Sequence, residues 1–183
     1  MNKTRLFAII LFILSFVLFS GNPAFTATQT QRVLVIINYA DCRGDSAPEG
    51  TSQDFHAGQL VYLDANGQLT ECATDATLIC GIASQNATTV QGTVLRFIRI
   101  GYNTVLESSV YSSSSSTAVT ARAQVGDDFS LMTTGDSCYV DIDDNSNKVF
   151  KVVGTGSDYR PLEEALGDIY GRVKVRVNYD HIQ

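Results

Sequence analysis

Histidine is nearly absent: His56 and His181 are the only two in 183 residues. A Ser-His-Asp or Cys-His arrangement needs an imidazole within reach of its nucleophile, and no G-x-S-x-G elbow supplies one. Cys42 with His56 is the one conceivable pair, and both fall in or beside a polar loop without further signature. The four cysteines, Cys42, Cys72, Cys80 and Cys138, contain no C-x-x-C pair and have no histidine at zinc-ligand spacing, which argues against a metal cluster. Cations are scarce too. Lys and Arg number 13 against 19 Asp and Glu, for a formal charge of −6. They are scattered singly apart from an alternating pair near the C-terminus, so a face that grips phosphate backbones is not expected, and neither is a nucleic-acid partner.

Other routes to chemistry fail on spacing. Gly58, Gly81 and Gly92 do not lie between a strand and a convincing helix, so they form no phosphate cradle. Glu163 and Glu164 are adjacent and would point in different directions on a helix, unlike a catalytic carboxylate pair. In "DIDDNSNK", Asp141, Asp143 and Asn145 fit the first, third and fifth positions of a calcium loop, but Ser146 and Val152 stand where glycine and glutamate are required. A turn between strands is the expectation there. Asn86-Ala87-Thr88 is a glycosylation sequon, meaningful only in a eukaryotic secretory route. No enzyme, cofactor or metal is expected.

What is present begins with a hydrophobic leader. Residues 1–31 carry Lys3 and Arg5, then an apolar run from Leu6 to Phe19 broken only by Ser15, then Gly21-Asn22-Pro23. This is the layout of a secretory signal peptide. As a helix the run would span about 21 Å against a hydrocarbon core of about 30 Å, so a stable membrane anchor is not expected. The cleavage site is poor, with Ala24 and Thr26 as the best small pair. A start codon placed too far upstream, a hydrophobic arm and a true export signal all remain open.

Residues 32–183 read as a β-rich domain. "RVLVIINY" is apolar on both faces, as a buried strand would be. "CRGDSAPEGTSQD" is polar and turn-rich and reads as a loop, and its Arg43-Gly44-Asp45 spells the integrin-binding tripeptide, a match that short segments often make by chance. "QLVYLD", "QLTECA" and "LICGIAS" read as three strands of a meander, the first two joined across Asn66-Gly67, a strong hairpin signal. Cys72 and Cys80 could face each other across a hairpin, as a disulfide or as two small half-buried hydrophobes. "TVLRFIRIG" is a further strand. "YSSSSST" reads as a loop, "TAVTARAQ" as a short helix or an irregular connection, and "RPLEEALGD" as one or two helical turns. "SCYVDID" and "KVFKVVG" alternate as half-buried strands. "GRVKVRVNY" places Val173, Val175 and Val177 on one face and Lys174 and Arg176 on the other. The expected fold is mainly all-β, a small barrel or sandwich of hairpins and a meander with one or two short helices and an extended N-terminal arm.

The run "AGQLVYLDANGQLTECATDATLICGIAS" (residues 57–84) resembles the head-decoration, or cement, proteins of tailed bacteriophages, which often combine a glycine-led strand, an "LDANG" hairpin, a small-residue turn and a strand ending in "GIA". "VGDDFSLMTTGDSCYVDID" and "GDIYGRVKVRV" are similar to their closing strands. The resemblance covers roughly residues 32–180 and rests on turns and apolar alternation. It implies a homotrimer bound to the major capsid protein on the outside of a virion, locking neighbouring capsomers. Arg32, Val33, Val35, Ile37 and Tyr39 are then candidates for such a contact or for the first core strand, and Arg96 and Arg99 candidates to pair with acidic capsid residues. If the leader is a functional signal, the alternative is a secreted or envelope-associated β-domain that binds or assembles at a surface.

Overall fold

A computed structural model describes residues 34–113, 120–121, 124–135, 137–155 and 171–183. The chain divides into two units, Met1–Thr30 and Gln31–Gln183, and every described residue lies in the second. The leader, Arg32, Val33 and the helical turns expected in "RPLEEALGD" lie outside the described residues, as does most of "TAVTARAQ". Among the described residues the strands are β1 Val35–Asn38, β2 Arg43–Pro48, β3 Leu60–Leu63, β4 Leu69–Glu71, β5 Gly81–Ala83, β6 Val94–Arg99, β7 Val105–Tyr111, β8 Asp128–Thr134, β9 Ser137–Asp141, β10 Phe150–Thr155 and β11 Arg172–Val177. A 3-10 turn follows at Tyr179–His181. The fold is all-β, as expected.

Five strands close into a barrel. β7 pairs with β11, β11 with β10, β10 with β8 and β8 with β9, all antiparallel. β9 then returns to β7 in parallel through Ser109↔Tyr139, Val110↔Val140 and Tyr111↔Asp141. β1 pairs with the first half of β7, through Val35↔Glu107 and Ile36↔Leu106. The alternation of β11 carries the logic of the ring: Val173, Val175 and Val177 are buried at 0–1% exposure, while Lys174 and Arg176 are half-buried on the outer face.

The second sheet has the order β2-β6-β5-β3-β4 and is antiparallel throughout. Its β3–β4 hairpin turns at Asn66-Gly67 as the sequence predicts. Gly67 takes a positive φ of 74°, and Asp64 Oδ1 accepts hydrogen bonds from the backbone of Asn66 and Gln68, both at 2.8 Å. The expected meander does not form. β5 pairs with β3 and not with β4, because residues 73–79 do not turn back but run along the barrel. Asp75 N donates to Leu131 O (2.8 Å) and Ile79 N to His181 O (2.7 Å). This crossing buries Cys72 and Ile79 between the two sheets. At its far end Gly81 is obligatory, since a Cβ there would sit 2.3 Å from Ile98 O.

The "CRGDSAP" loop is also corrected: Arg43–Pro48 is strand β2, in unbroken register with β6. It is a sheet edge that buries only Ala47, so hydrophobic alternation could not reveal it. "DNSN" does connect two strands, but β9 and β10 are not neighbours, because β8 lies between them. β7 went unread.

Two hydrophobic clusters result. The larger joins barrel residues such as Leu106, Val110, Leu131, Val140 and Phe150 to Leu60, Cys72, Ile79, Ile82 and Ile100 of the smaller sheet and its loops. The other packs Phe55 against Val61, Leu69, Cys80, Leu95 and Phe97 on the opposite face of that sheet. After the 3-10 turn the chain ties the two sheets again: Ile182 bridges Ile79, and the Gln183 side chain both accepts from Leu63 N (2.8 Å) and donates to Leu63 O (2.9 Å).

Candidate interaction surface

The smaller sheet has two edges, one interrupted and the other covered. Glu49 N donates to Thr93 O (2.7 Å), which sets the alternation of β2: the backbone groups of Gly44, Ser46 and Pro48 face outward. Ser46 N–H is taken by Asp45 Oδ1 at 2.9 Å, and Pro48 has no N–H to offer. At the other edge Gly50 N donates to Leu69 O (3.0 Å) and Glu71 N to Gln53 Oε1 (2.7 Å), so the 49–53 loop covers β4. Neither edge offers the row of unpaired amides that strand addition requires. Recognition by this sheet therefore falls to side chains.

Three exposed tyrosines lie in turns outside its strands. Tyr102 and Tyr179, 49% and 74% exposed, meet edge to face with ring centroids 6.3 Å apart and planes at 74°, so each holds the other while its remaining surface stays wet. Tyr39, 65% exposed, stands on the turn after β1. That turn is fastened to the loop carrying Tyr102: Thr104 Oγ1 donates to Ala40 O (2.9 Å) and Asn103 Nδ2 to Asp41 Oδ2 (2.8 Å). Tyrosine combines a large apolar body with a hydroxyl and few rotatable bonds, which suits it to protein contacts.

The sequence candidates are distributed differently. Val35 and Ile37 lie in β1, which pairs with β7 in the barrel sheet; Leu34 and Ile36 of the same segment are buried in the core, and Tyr39 is exposed at its end. Arg96 is exposed on the same face of β6 as Val94. Arg99, three residues on, points to the opposite face, as strand periodicity demands. It is already engaged: Nε pairs with Asp45 Oδ2 (3.0 Å), Nη1 donates to Gln183 O (2.9 Å), and the guanidinium lies over the Phe97 ring at 5.7 Å. The Ser46 amide and then Arg99 hold the Asp45 carboxyl below its usual range. Arg43-Gly44-Asp45 is thus an extended strand with its aspartate committed internally. The tyrosine pair was missed; two tyrosines in polar turns, "GYNT" and "NYDH", were the available signal.

The remaining polar candidates serve the fold. Asp143 Oδ2 accepts from Ser112 Oγ, Ser113 N and Ser113 Oγ at 2.8–2.9 Å, and these bonds, the Ser113 amide foremost, lower its pKa. Burial instead raises that of Asp141. No group of three or more metal-ligating side chains occurs among the described residues. Cys42 Sγ lies 3.3 Å from Thr104 Oγ1, and the His56 backbone amide bonds the Gln59 side chain. In the sequon, Asn86 Oδ1 accepts from Ala57 N (2.9 Å) and the Thr88 hydroxyl donates to Glu49 (2.6 Å).

The disulfide considered for Cys72 and Cys80 is not formed. Both are free thiols, and they lie in different clusters on opposite faces of the sheet, because the segment between them crosses rather than turning. Burial pushes the Cys80 thiol up to about 12 and Cys138 up to about 11. Of the four, Cys42 alone is not buried. In the reduced, folded chain a thiol reagent at neutral pH is expected to label one cysteine rapidly and the other three only on unfolding, read by mass spectrometry.

No protein-family model matches the chain, and no curated protein matches it either. No helix among the described residues is long and apolar enough to cross a membrane.

Proposed function

We propose that the chain is a structural virion protein that binds the outer surface of a bacteriophage capsid and stabilises contacts between capsomers. The observation that carries this reading is the resemblance of residues 57–84 to the cement proteins, a segment that here makes up β3, β4 and β5. Three features support it. Apart from the leader's Lys3 and Arg5 the chain has 11 basic and 19 acidic residues, which suits an outward-facing position better than a DNA-facing one. Among the described residues, the carboxylates of Glu49, Asp64 and Asp143 are spent on turns and loops. Tyr102 and Tyr179, exposed and packed edge to face, form a partly apolar patch of the kind that anchors protein contacts.

The test is to sediment native source material and ask whether the chain travels with capsid-sized particles in fixed ratio to a major shell protein. Tyr102→Ala with Tyr179→Ala is then expected to weaken binding to purified particles at least tenfold, with stability changed by about 0.5 kcal/mol or less. Unaltered binding would remove the tyrosines from the interface, and absence from particles would remove the capsid reading itself. Because β1 starts at Val35, an arm deletion should stop at residue 31.

One observation favours a second reading. The basic, apolar and Gly-Asn-Pro sections of residues 1–28 have the order of an export signal, and a secreted or envelope-associated protein would present the same tyrosine patch to a cell-surface partner. A free, truncated species in the medium selects this reading.

A further inference from the structure

We infer that Cys72 and Cys138 are the two halves of a latent disulfide that staples the smaller sheet to the barrel. Cys72 follows β4 of the smaller sheet and Cys138 lies in β9 of the barrel, yet both belong to the one cluster the sheets share. Two sets of contacts bring them together. The Leu60 backbone is common to both, since Leu60 O accepts from Cys72 N at 3.1 Å and the Leu60 backbone lies near enough to the Cys138 thiol to act on its charge. The hydroxyl of Thr74, two residues beyond Cys72, meets the Thr133 hydroxyl (3.0 Å) and accepts from the Thr133 backbone amide (3.0 Å), and Thr133 is the cross-strand partner of Cys138. Cys80, also near enough to act on the Cys72 thiol, belongs to the cluster on the other face of the sheet. The Cys72 thiol has only a long contact, 3.7 Å, to Leu78 O.

The chemistry is thiol–disulfide exchange with a small disulfide oxidant such as oxidised glutathione. One cysteine thiolate attacks the oxidant and releases a glutathione thiolate. The second then attacks the mixed disulfide, forming the protein S–S bond and releasing the other glutathione; two thiol protons and two electrons leave the protein. Burial raises both thiols, and neither is accessible in the folded chain, so the bond forms during folding and not afterwards. The inference is independent of the capsid reading: the staple stays open in a reducing compartment and closes in an oxidising one.

The experiment is to unfold the full chain and refold it in a reduced and oxidised glutathione mixture, then map disulfides by peptide mass spectrometry. The expected result is a loss of two hydrogens from the intact mass, one linked peptide containing Cys72 and Cys138, and a rise of roughly 10 °C in Tm. Cys80→Ser is expected to keep the link and Cys138→Ser to abolish it. Should Cys138→Ser fail to fold, the Cys80→Ser map decides alone. Four thiols after oxidative refolding, or a dominant link involving Cys42 or Cys80, would overturn the assignment.

Discussion

Glu107→Leu is expected to destabilise the chain by about 3–5 kcal/mol, whereas Glu107→Leu combined with Arg172→Met costs far less or nothing. Both side chains are 2% exposed and form an ion pair on the outer face of the barrel. Arg172 Nη2 also donates to the Glu107 carbonyl at 3.0 Å. Removing the glutamate takes the carboxylate away from a buried guanidinium and leaves it near Lys174, the register partner of Glu107. Removing both charges eliminates the desolvation cost altogether. Among the described residues, Arg172 Nε meets the Glu107 carboxylate as an ion pair and Nη1 has no hydrogen-bond partner. Urea unfolding of the two singles and the double measures the coupling. A double variant as unstable as Glu107→Leu would show that these side chains act through packing and not as a charge pair.

Glu49→Ala is the second large effect, about 3 kcal/mol or more. Glu49 is completely buried, and its carboxylate accepts from Thr88 N, Thr88 Oγ1 and Thr89 N at 2.6–3.1 Å. Hydrogen bonds to a charged acceptor contribute about 1.5–3 kcal/mol each, and because Thr88 and Thr89 are themselves exposed, their released groups turn to water. Thr89 adds strain, since a β-branched residue at φ 63° is held in the left-handed region. Without the carboxylate the 86–90 loop has little reason to keep that conformation. Glu49→Gln retains one acceptor oxygen and should fall between wild type and alanine. Hydrogen exchange gives the local readout: protection at Thr88 and Thr89 should vanish in Glu49→Ala before global unfolding. Intact protection with a midpoint within 0.5 kcal/mol of wild type would dismiss the clamp.

Neither effect was legible in the sequence, and the reason is physical. Glu49 sits in "APEGT", where a carboxylate next to proline and glycine reads as a solvated loop. Its burial comes from residues 39 and 40 positions away. The Glu107–Arg172 pair is likewise a product of the barrel's register, joining strands 65 residues apart. What sequence did reveal was local: the Asn66-Gly67 turn and the valine alternation of β11, whose signals fit within a few residues. The crossing between β4 and β5 was hidden because "TDAT" has good turn residues, while the decision not to turn is made by Cys72 and Ile79 reaching for the barrel's core. Arg96 and Arg99 looked equivalent as neighbours on one strand. An odd spacing put them on opposite faces, and only one was left for a partner.

The parallel seam between β7 and β9 also sets an order of events. Residues 109–111 must meet 139–141, and β7 must then receive β11 from more than 60 positions away. Loop-closure entropy is spent before these contacts return anything, so the seam places the chain among slow folders, on a scale of milliseconds to seconds. During synthesis the edges of β7 and β10 that receive β11 stay open until residues 172–177 have left the ribosome. Over that interval the nascent chain is at its most exposed to mispairing, and a chaperone would find its binding surface on those two strands.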